Sequence, residues 1–428
     1  MDSEAARKFG LDHPSISLHL LREKGNTSAL LDDNKLFRQW FSRADSFKHL
    51  DELPLGIYLE PTDDPTLLGY RNRKILNFGT NNYLGSTHLP EIRQAAKEAI
   101  DRFGVGSTAS RLAGGTQQLH LAVETELSQI FNRPGAILFN TGYMANFAML
   151  TVLGQSDYCI FIDQECHASI YEGVQRSEAK HYRFRHNSAD HLRTQLQKHG
   201  APGGRNIVCV DGLYSMSGSI TPLQEIAKLR SETPFLLLVD EAHSFGTLGG
   251  SGLGVADMTD CLDVVDIVTG TFSKSIGSIG GFAVFNDPTL ELIRFAAPSY
   301  MYTAALPPPV LGGVLAALDR VIVRGEDLRA RLHQNCRPMA ELLNPLNVME
   351  DAMPGPVFAL RLKSVTDALQ AWRYALDEGF YINLVLPPAS PRSKPMLRMG
   401  VSAMHSPEQI GQLGGLLQII MRNYPTDC

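Results

Sequence analysis

Lys274 stands among small and hydroxyl residues in the run Thr269-Gly-Thr-Phe-Ser-Lys-Ser-Ile-Gly-Ser-Ile-Gly-Gly281, downstream of an apolar stretch that ends in Asp240-Glu-Ala-His243. A lysine so placed can hold pyridoxal phosphate as a Schiff base. Such a carbonyl cofactor needs an amine to carry it, a carboxylate to keep its pyridine nitrogen protonated and donors for its phosphate. Lys274 supplies the amine and Asp240 the carboxylate. Thr271 and Ser273 flank the lysine with hydroxyls for the phosphate, and the following glycines let backbone approach closely. Alone, a Ser-Lys pair beside glycines is usually surface loop, and an Asp at a strand end usually caps a turn. Their conjunction argues for the cofactor.

Further polar residues cluster where apolar runs end, which is where open α/β sheets place ligands. The loop Asn140-Thr-Gly-Tyr-Met-Ala-Asn146 follows a strand pattern and opens a helix, so the amides at Gly142 and Tyr143 and the helix dipole suit a phosphate. Tyr143 can also lie near the cofactor ring. In Asp163-Gln-Glu-Cys-His-Ala-Ser169, His167 can stack on that ring and take part in proton chemistry. His243 follows Asp240 by three residues and can reach the cofactor's phenolic oxygen, while Ser215 offers a hydroxyl at another strand end. Each of these, taken singly, is also ordinary turn chemistry.

The elements that position these residues are readable from periodicity. Gly135–Phe139, Tyr158–Ile162, Asn206–Val210, Phe235–Val239, Asp266–Thr269 and Gly281–Phe285 read as buried, mostly parallel strands. Helical patterns lie between them, among them Leu89–Ile100 with a proline in its first turn, and Leu119–Phe131. The expectation is an α/β sandwich around a mostly parallel central sheet. Residues 1–70 read as an N-terminal helix and irregular arm that packs on a partner subunit, residues 71–325 as the large α/β domain and residues 326–428 as a smaller α+β domain. After Thr303-Ala-Ala-Leu-Pro-Pro-Pro309, a long helix is expected from about Val310 toward residue 330.

Composition is that of an ordinary globular chain: 428 residues, net charge −6 and 20% charged residues. Nothing in that balance calls for nucleic acid. The longest apolar runs fall short of the roughly 20 residues a membrane helix needs. The polar, acidic N-terminus lacks signal or transit character, so the expected location is the cytoplasm, with at most peripheral membrane contact. Six scattered cysteines have no paired spacing for zinc or a disulfide framework, so no metal site is expected.

Six motifs in order resemble the α-oxoamine synthases, which are fold-type-I pyridoxal phosphate enzymes. They are Asn77–Gly85, Gly104–Arg111, Thr141–Asn146, His167–Tyr171, Asp240–His243 and Thr271–Lys274. The resemblance extends from about residue 75 to His405. It implies a decarboxylating Claisen-type condensation of an amino acid with an acyl thioester, giving an α-amino ketone. By similarity, Lys274 carries the cofactor and moves protons, Asp240 holds the ring nitrogen, His167 stacks on the ring, and His243 contacts the phenolic oxygen. Ser215, Thr271 and Ser273 complete the cofactor contacts. Arg398 matches the arginine that binds the substrate carboxylate, and Asn82 and Tyr83 fall at substrate-binding positions. Thr303 matches a position that reaches the cofactor phosphate of the second subunit, which implies a homodimer with active sites at its interface.

Within the family, Phe184–Ser188 and Tyr381–Pro391, with the motifs around them, are most similar to the branch that joins L-serine to a long-chain acyl-CoA such as palmitoyl-CoA. Two positions depart from that branch. Leu386 stands where an arginine precedes the Pro-Pro-Ala segment, leaving Arg398 or Arg392 to bind the carboxylate. Ser219 replaces an acidic residue after Ser-Met-Ser-Gly. The alternatives are a related synthase that takes glycine or alanine, or a carrier-protein thioester; a silent scaffolding member; and an aminotransferase or lyase on the same fold.

Overall fold

The structure is a computed structural model that describes residues 57–343 and 355–426, together with residues 34 and 35. The N-terminal helix and most of the arm expected over residues 1–70 lie outside the described residues. Two compact units divide the chain, residues 1–62 with 68–75 and residues 63–67 with 76–428. In the first, Glu60 and Pro61 pair antiparallel with Gly69 and Leu68.

The second unit is built on a seven-stranded sheet: β1 (Gly135–Phe139), β2 (Cys159–Asp163), β3 (Lys180–Phe184), β4 (Asn206–Asp211), β5 (Leu236–Asp240), β6 (Ile267–Thr271) and β7 (Gly281–Phe285). Their order across the sheet is β1-β7-β6-β5-β4-β2-β3. All run in one direction except β7, which pairs antiparallel with both β1 and β6. Six of the seven strands match the sequence expectation within one or two residues. β3, Lys-His-Tyr-Arg-Phe, escaped it because an edge strand is covered on one side only and shows no apolar run; only Phe184 of the five is buried.

Helices cross between strands on both faces. They include α3 (Gly142–Leu153), α4 (Ala168–Arg176) and α5 (Ala189–His199), while α1 (Pro90–Phe103) and α2 (Gln118–Ile130) precede β1. Alternation along β7 sends Ala283 and Phe285 into a core with Met149, Ile170 and Val174 from α3 and α4. Phe282 points the other way, into an aromatic cluster with Phe131, Phe245 and Phe272.

The long helix expected after Val310 is broken. Helix α6 (Pro308–Ala317) passes into a π turn over Leu318–Val323, and α7 (Glu326–Leu343) starts afresh. At Gly325 a β-carbon would overlap the Val321 carbonyl, so a side chain there is excluded by packing alone. The buried Arg329 donates to the Val321 and Ile322 carbonyls at 3.0 and 3.3 Å and so satisfies acceptors that the break exposes.

The C-terminal part carries a three-stranded antiparallel sheet of β8 (Val357–Arg361), β9 (Asn383–Val385) and β10 (Met396–Gly400), ordered β8-β10-β9. Helices α8 (Val365–Asp377) and α9 (Pro407–Asn423) accompany it. The five described cysteines are buried and form no disulfide; Cys428 lies outside the described residues.

Candidate active site

The carboxyl ends of β1, β2, β4, β5 and β6 share one edge of the sheet, and the turns that leave them enclose a cavity of about 200 Å³. Gly142 and Tyr143 line it from the first turn of α3, which follows β1, and His167 from the loop after β2. Asp240 and His243 come from the end of β5, and Thr271, Ser273 and Lys274 from the end of β6. Eight of the residues singled out in the sequence are thus brought to one hollow.

At one wall α3 begins. Its first-turn N–H groups have no intrahelical acceptor, and Thr141 caps it by accepting from Met144 N at 3.1 Å. The Thr271 hydroxyl donates to the Gly280 carbonyl at 3.0 Å and lies 2.9 Å from Ser273 Oγ. Gly281, opposite Thr271, passes so close to this helix start that a β-carbon would overlap the Gly142 nitrogen and the Thr141 carbonyl. Open N–H groups beside two hydroxyls make an anion-binding corner.

Asp240 is buried and accepts from Ala242 N at 2.9 Å and from Asn146 Nδ2 at 2.6 Å. Burial lowers the Lys274 amine to about 8, against the opposing pull of the Asp240 and Asp211 carboxylates, so its neutral fraction at neutral pH is far larger than that of an ordinary lysine. Burial, helped by the cations Lys274 and Arg398, pushes His243 well below the usual imidazole range. His167 is lowered too, chiefly by burial. Its ring meets Tyr143 edge-on, with centroids 6.0 Å apart.

Five cavity residues had no role assigned from sequence: Thr141, Ser169, Asp211, Leu213 and Ala242. Asp211 is the register partner of Asp240 on the neighbouring strand and accepts from His167 N at 3.3 Å. Burial, with the Asp240 charge beside it, raises its carboxyl well above the usual range. The available signal was its place at a strand end, matching that of Asp240.

Ser215, Asn82, Tyr83, Arg398 and Thr303 do not line the cavity. Arg398 is buried on β10 and donates from Nε to the Ser215 carbonyl and from Nη2 to Tyr83 Oη, both at 3.1 Å. Tyr83 Oη in turn lies 2.7 Å from His243 Nδ1, so the arginine reaches the cavity wall through a phenol and an imidazole. Asn82 donates to Thr87 Oγ1 at 2.8 Å, and its own Oδ1 is buried with no partner among the described residues. Thr303 donates to the Ser299 carbonyl beside the exposed Tyr302. Arg111, in the Gly104–Arg111 motif, is structural: it pairs with buried Glu124 at 3.0 and 3.2 Å. Ser219, at a position of departure, is buried 2.8 Å from His186 Nε2, whose Nδ1 lies 2.9 Å from Asp163.

Residues 73–414 match the family described as aminotransferase class I and II. The chain belongs to that family. Among its relatives is a serine palmitoyltransferase (SPT) of Caulobacter vibrioides, 37% identical over 396 residues that cover 90% of this chain and 98% of that protein. An 8-amino-7-oxononanoate synthase of Saccharophagus degradans is 38% identical over 355 residues, 82% of this chain and 88% of its own length. A solved structure of SPT with pyridoxal phosphate as the internal aldimine superposes with a TM-score of 0.85 at 35% identity, covering 92% of this chain and 99% of that one. The chain therefore has the type I fold of this aminotransferase family, and its cofactor is pyridoxal 5′-phosphate. The cavity fits that group, because it joins a lysine whose amine burial lowers to about 8, a buried carboxylate held by two donors and an anion-binding corner.

Proposed function

We propose that this chain condenses L-serine with a long-chain acyl-CoA, with palmitoyl-CoA as the reference donor, to give 3-ketodihydrosphingosine, carbon dioxide and free CoA. The observation that carries the reading is the near full-length similarity to serine palmitoyltransferase, joined to a cavity in which the required residue types converge. When bound, pyridoxal phosphate withdraws electrons from the amino acid's α-carbon.

Lys274 would hold the cofactor and serve as the base for the α-proton; its amine at about 8 suits both tasks near neutral pH. Asp240 keeps the pyridine nitrogen protonated, His243 contacts the phenolic oxygen, and Thr271, Ser273 and the amides of Gly142 and Tyr143 hold the phosphate. Arg398 binds the substrate carboxylate, with Asn82 and Tyr83 beside it, and Ser215 sets the loop to which Arg398 is anchored. His167 covers the ring and polarises the thioester carbonyl. A carbon–carbon bond forms at that carbonyl as the thiolate leaves. The carbon–carboxylate bond then breaks to release carbon dioxide.

Thr303 lies outside the cavity of its own chain and faces the second subunit of a homodimer, where it meets the partner's cofactor phosphate. Residues 71–325 act as the cofactor-binding domain and 326–428 as the smaller domain that brings Arg398. The enzyme works in the cytoplasm; among the described residues no helix is long and apolar enough to cross a membrane.

A second reading has a specific basis. Leu386 has no charge to offer a carboxylate, and a relative at 38% identity is an 8-amino-7-oxononanoate synthase. A synthase that takes glycine or alanine, or a carrier-protein thioester, is that alternative. The deciding experiment titrates the purified holoenzyme with serine, glycine and alanine while its visible spectrum is followed, then adds palmitoyl-CoA and identifies products by mass spectrometry. A spectral change specific to serine, with one carbon dioxide and one thiol per serine consumed, supports the main reading. A response to another amino acid transfers the assignment to the alternative.

A further inference from the structure

Behind the cavity, a chain of buried polar side chains joins Asp240 to His167. Thr269 Oγ1 donates to Asn146 Oδ1 at 2.6 Å, which leaves the Asn146 amide nitrogen facing the other way. That nitrogen has two hydrogens and two partners, Asp240 Oδ2 at 2.6 Å and Ser169 Oγ at 3.0 Å. Ser169 Oγ lies 2.7 Å from His167 Nδ1, and the Ser169 backbone N–H points at the same ring nitrogen from 3.3 Å. Asn146, Ser169 and Thr269 are all essentially inaccessible to solvent.

Counting hydrogens fixes the direction of every bond. A carboxylate accepts, so Asn146 must donate to Asp240, and its oxygen must then face the Thr269 hydroxyl, as observed. The second amide hydrogen goes to Ser169 Oγ. The serine's single hydroxyl hydrogen is left for His167 Nδ1, which also receives the backbone N–H. A ring nitrogen with two donors aimed at it carries no proton.

We infer that Asn146 and Ser169 are positioning residues that hold His167 as the neutral tautomer with its proton on Nε2, so that it offers the cavity a hydrogen-bond donor and not a base. This deepens, and rests on, the proposed role of His167 above the cofactor. It separates the acid–base roles in the site: Lys274 moves the α-proton, and His167 Nε2–H binds an oxygen, either the substrate carboxylate or the thioester carbonyl. Asn146 gives one amide hydrogen to Asp240 and the other to Ser169, so the carboxylate and the His167 donor are positioned by one network. The lowering of His167 by burial agrees with a ring that stays neutral.

The test uses protein labelled with ¹⁵N-histidine, with His167 signals assigned by their loss in His167→Gln. Long-range ¹H–¹⁵N spectra of the cofactor-loaded enzyme at neutral pH should show His167 Nδ1 unprotonated and Nε2 protonated. A proton on Nδ1 overturns the inference. Ser169→Ala should shift the ring toward a mixture of tautomers and weaken amino acid binding about tenfold, while the visible cofactor band is kept. Thr269→Val, close in volume, frees the Asn146 amide to turn and should move the same signals part of the way. Unchanged ring signals and unchanged amino acid affinity in a folded Ser169→Ala or Thr269→Val protein would also overturn it. Because the tautomer is read without acyl donor, a correct tautomer in an enzyme that makes no ketone from serine would count against the proposed function alone.

Discussion

Tyr83 Oη accepts from Arg398 Nη2 at 3.1 Å across 315 positions of sequence. The guanidinium proposed to receive the substrate carboxylate is therefore already held by the protein, with its Nε on the Ser215 carbonyl as well. Burial raises the Tyr83 phenol despite the arginine beside it, so it stays a neutral hydroxyl that orients the cation without cancelling its charge.

Removal of the cation should separate substrate binding from cofactor binding. Arg398→Ala is expected to raise KM for the amino acid about ten- to hundredfold, the range for losing a charge-assisted hydrogen bond of roughly 1.5–3 kcal/mol. The visible cofactor band should be retained. Tyr83→Phe, which leaves the cation but releases its orientation, should give a smaller rise. Steady-state kinetics on both variants checks this, and an unchanged KM in Arg398→Ala removes the residue from the substrate site.

Cofactor loading should follow the Lys274 amine. Its neutral, nucleophilic form predominates above about 8, so uptake of pyridoxal phosphate by apoprotein should be slow at pH 6, rise about tenfold per pH unit and level off above pH 8. Stopped-flow absorbance reads the profile. A plateau that begins only near the ordinary lysine range would mean that the amine is not depressed by burial. Lys274→Ala should give no covalent cofactor band at any pH.

Gly281→Ala tests the anion-binding corner without touching a polar group. The added methyl meets the Gly142 nitrogen and the Thr141 carbonyl, so it must push the start of α3 off the sheet edge. The expected result is cofactor affinity weakened more than about tenfold, with a loss of about 1–3 kcal/mol in stability from overpacking. Titration of apoprotein with pyridoxal phosphate, beside a thermal melt, gives both numbers.

Acid stability should carry the mark of His405. Its Nδ1 accepts from Ser402 N at 3.0 Å, a bond that only the neutral ring can make, while Nε2 donates to the Asn77 carbonyl at 3.0 Å. Burial lowers this group from 6.5 to about 4. The unfolded chain takes up the proton first on acidification, so stability is intact above pH 6.5 and falls between about 6.5 and 4, by at most about 3 kcal/mol. Urea unfolding across that window should show the loss, and His405→Gln should flatten it.

Most of the sheet and eight of the thirteen residues that line the cavity were readable along the chain, because a parallel strand buried on both faces is a short apolar run and its carboxyl end is where a polar loop begins. Asp240, His167 and Lys274 each sit at such a transition, so local pattern and position in the fold coincide. β3 and the break after α6 were not readable. The edge strand has nothing apolar on its solvent side, and the break depends on the packing of Gly325 against Val321 and on Arg329, which becomes a cap only once the turn has formed.

The Asp240–Asn146–Ser169–His167 network and the Tyr83 bridge belong to a different level of organisation. Apart from His167 and Ser169, their members lie in separate segments, up to 315 positions apart, and nothing in residue type predicts that an asparagine on α3 will spend one amide hydrogen on β5 and the other on α4. Residue types and their local spacing were enough to name the cofactor chemistry, since that depends on which groups are present at strand ends. Hydrogen-bond direction depends on which groups meet, and only the lateral order of the strands, with the docking of β10 behind Ser215, brings them within hydrogen-bond reach.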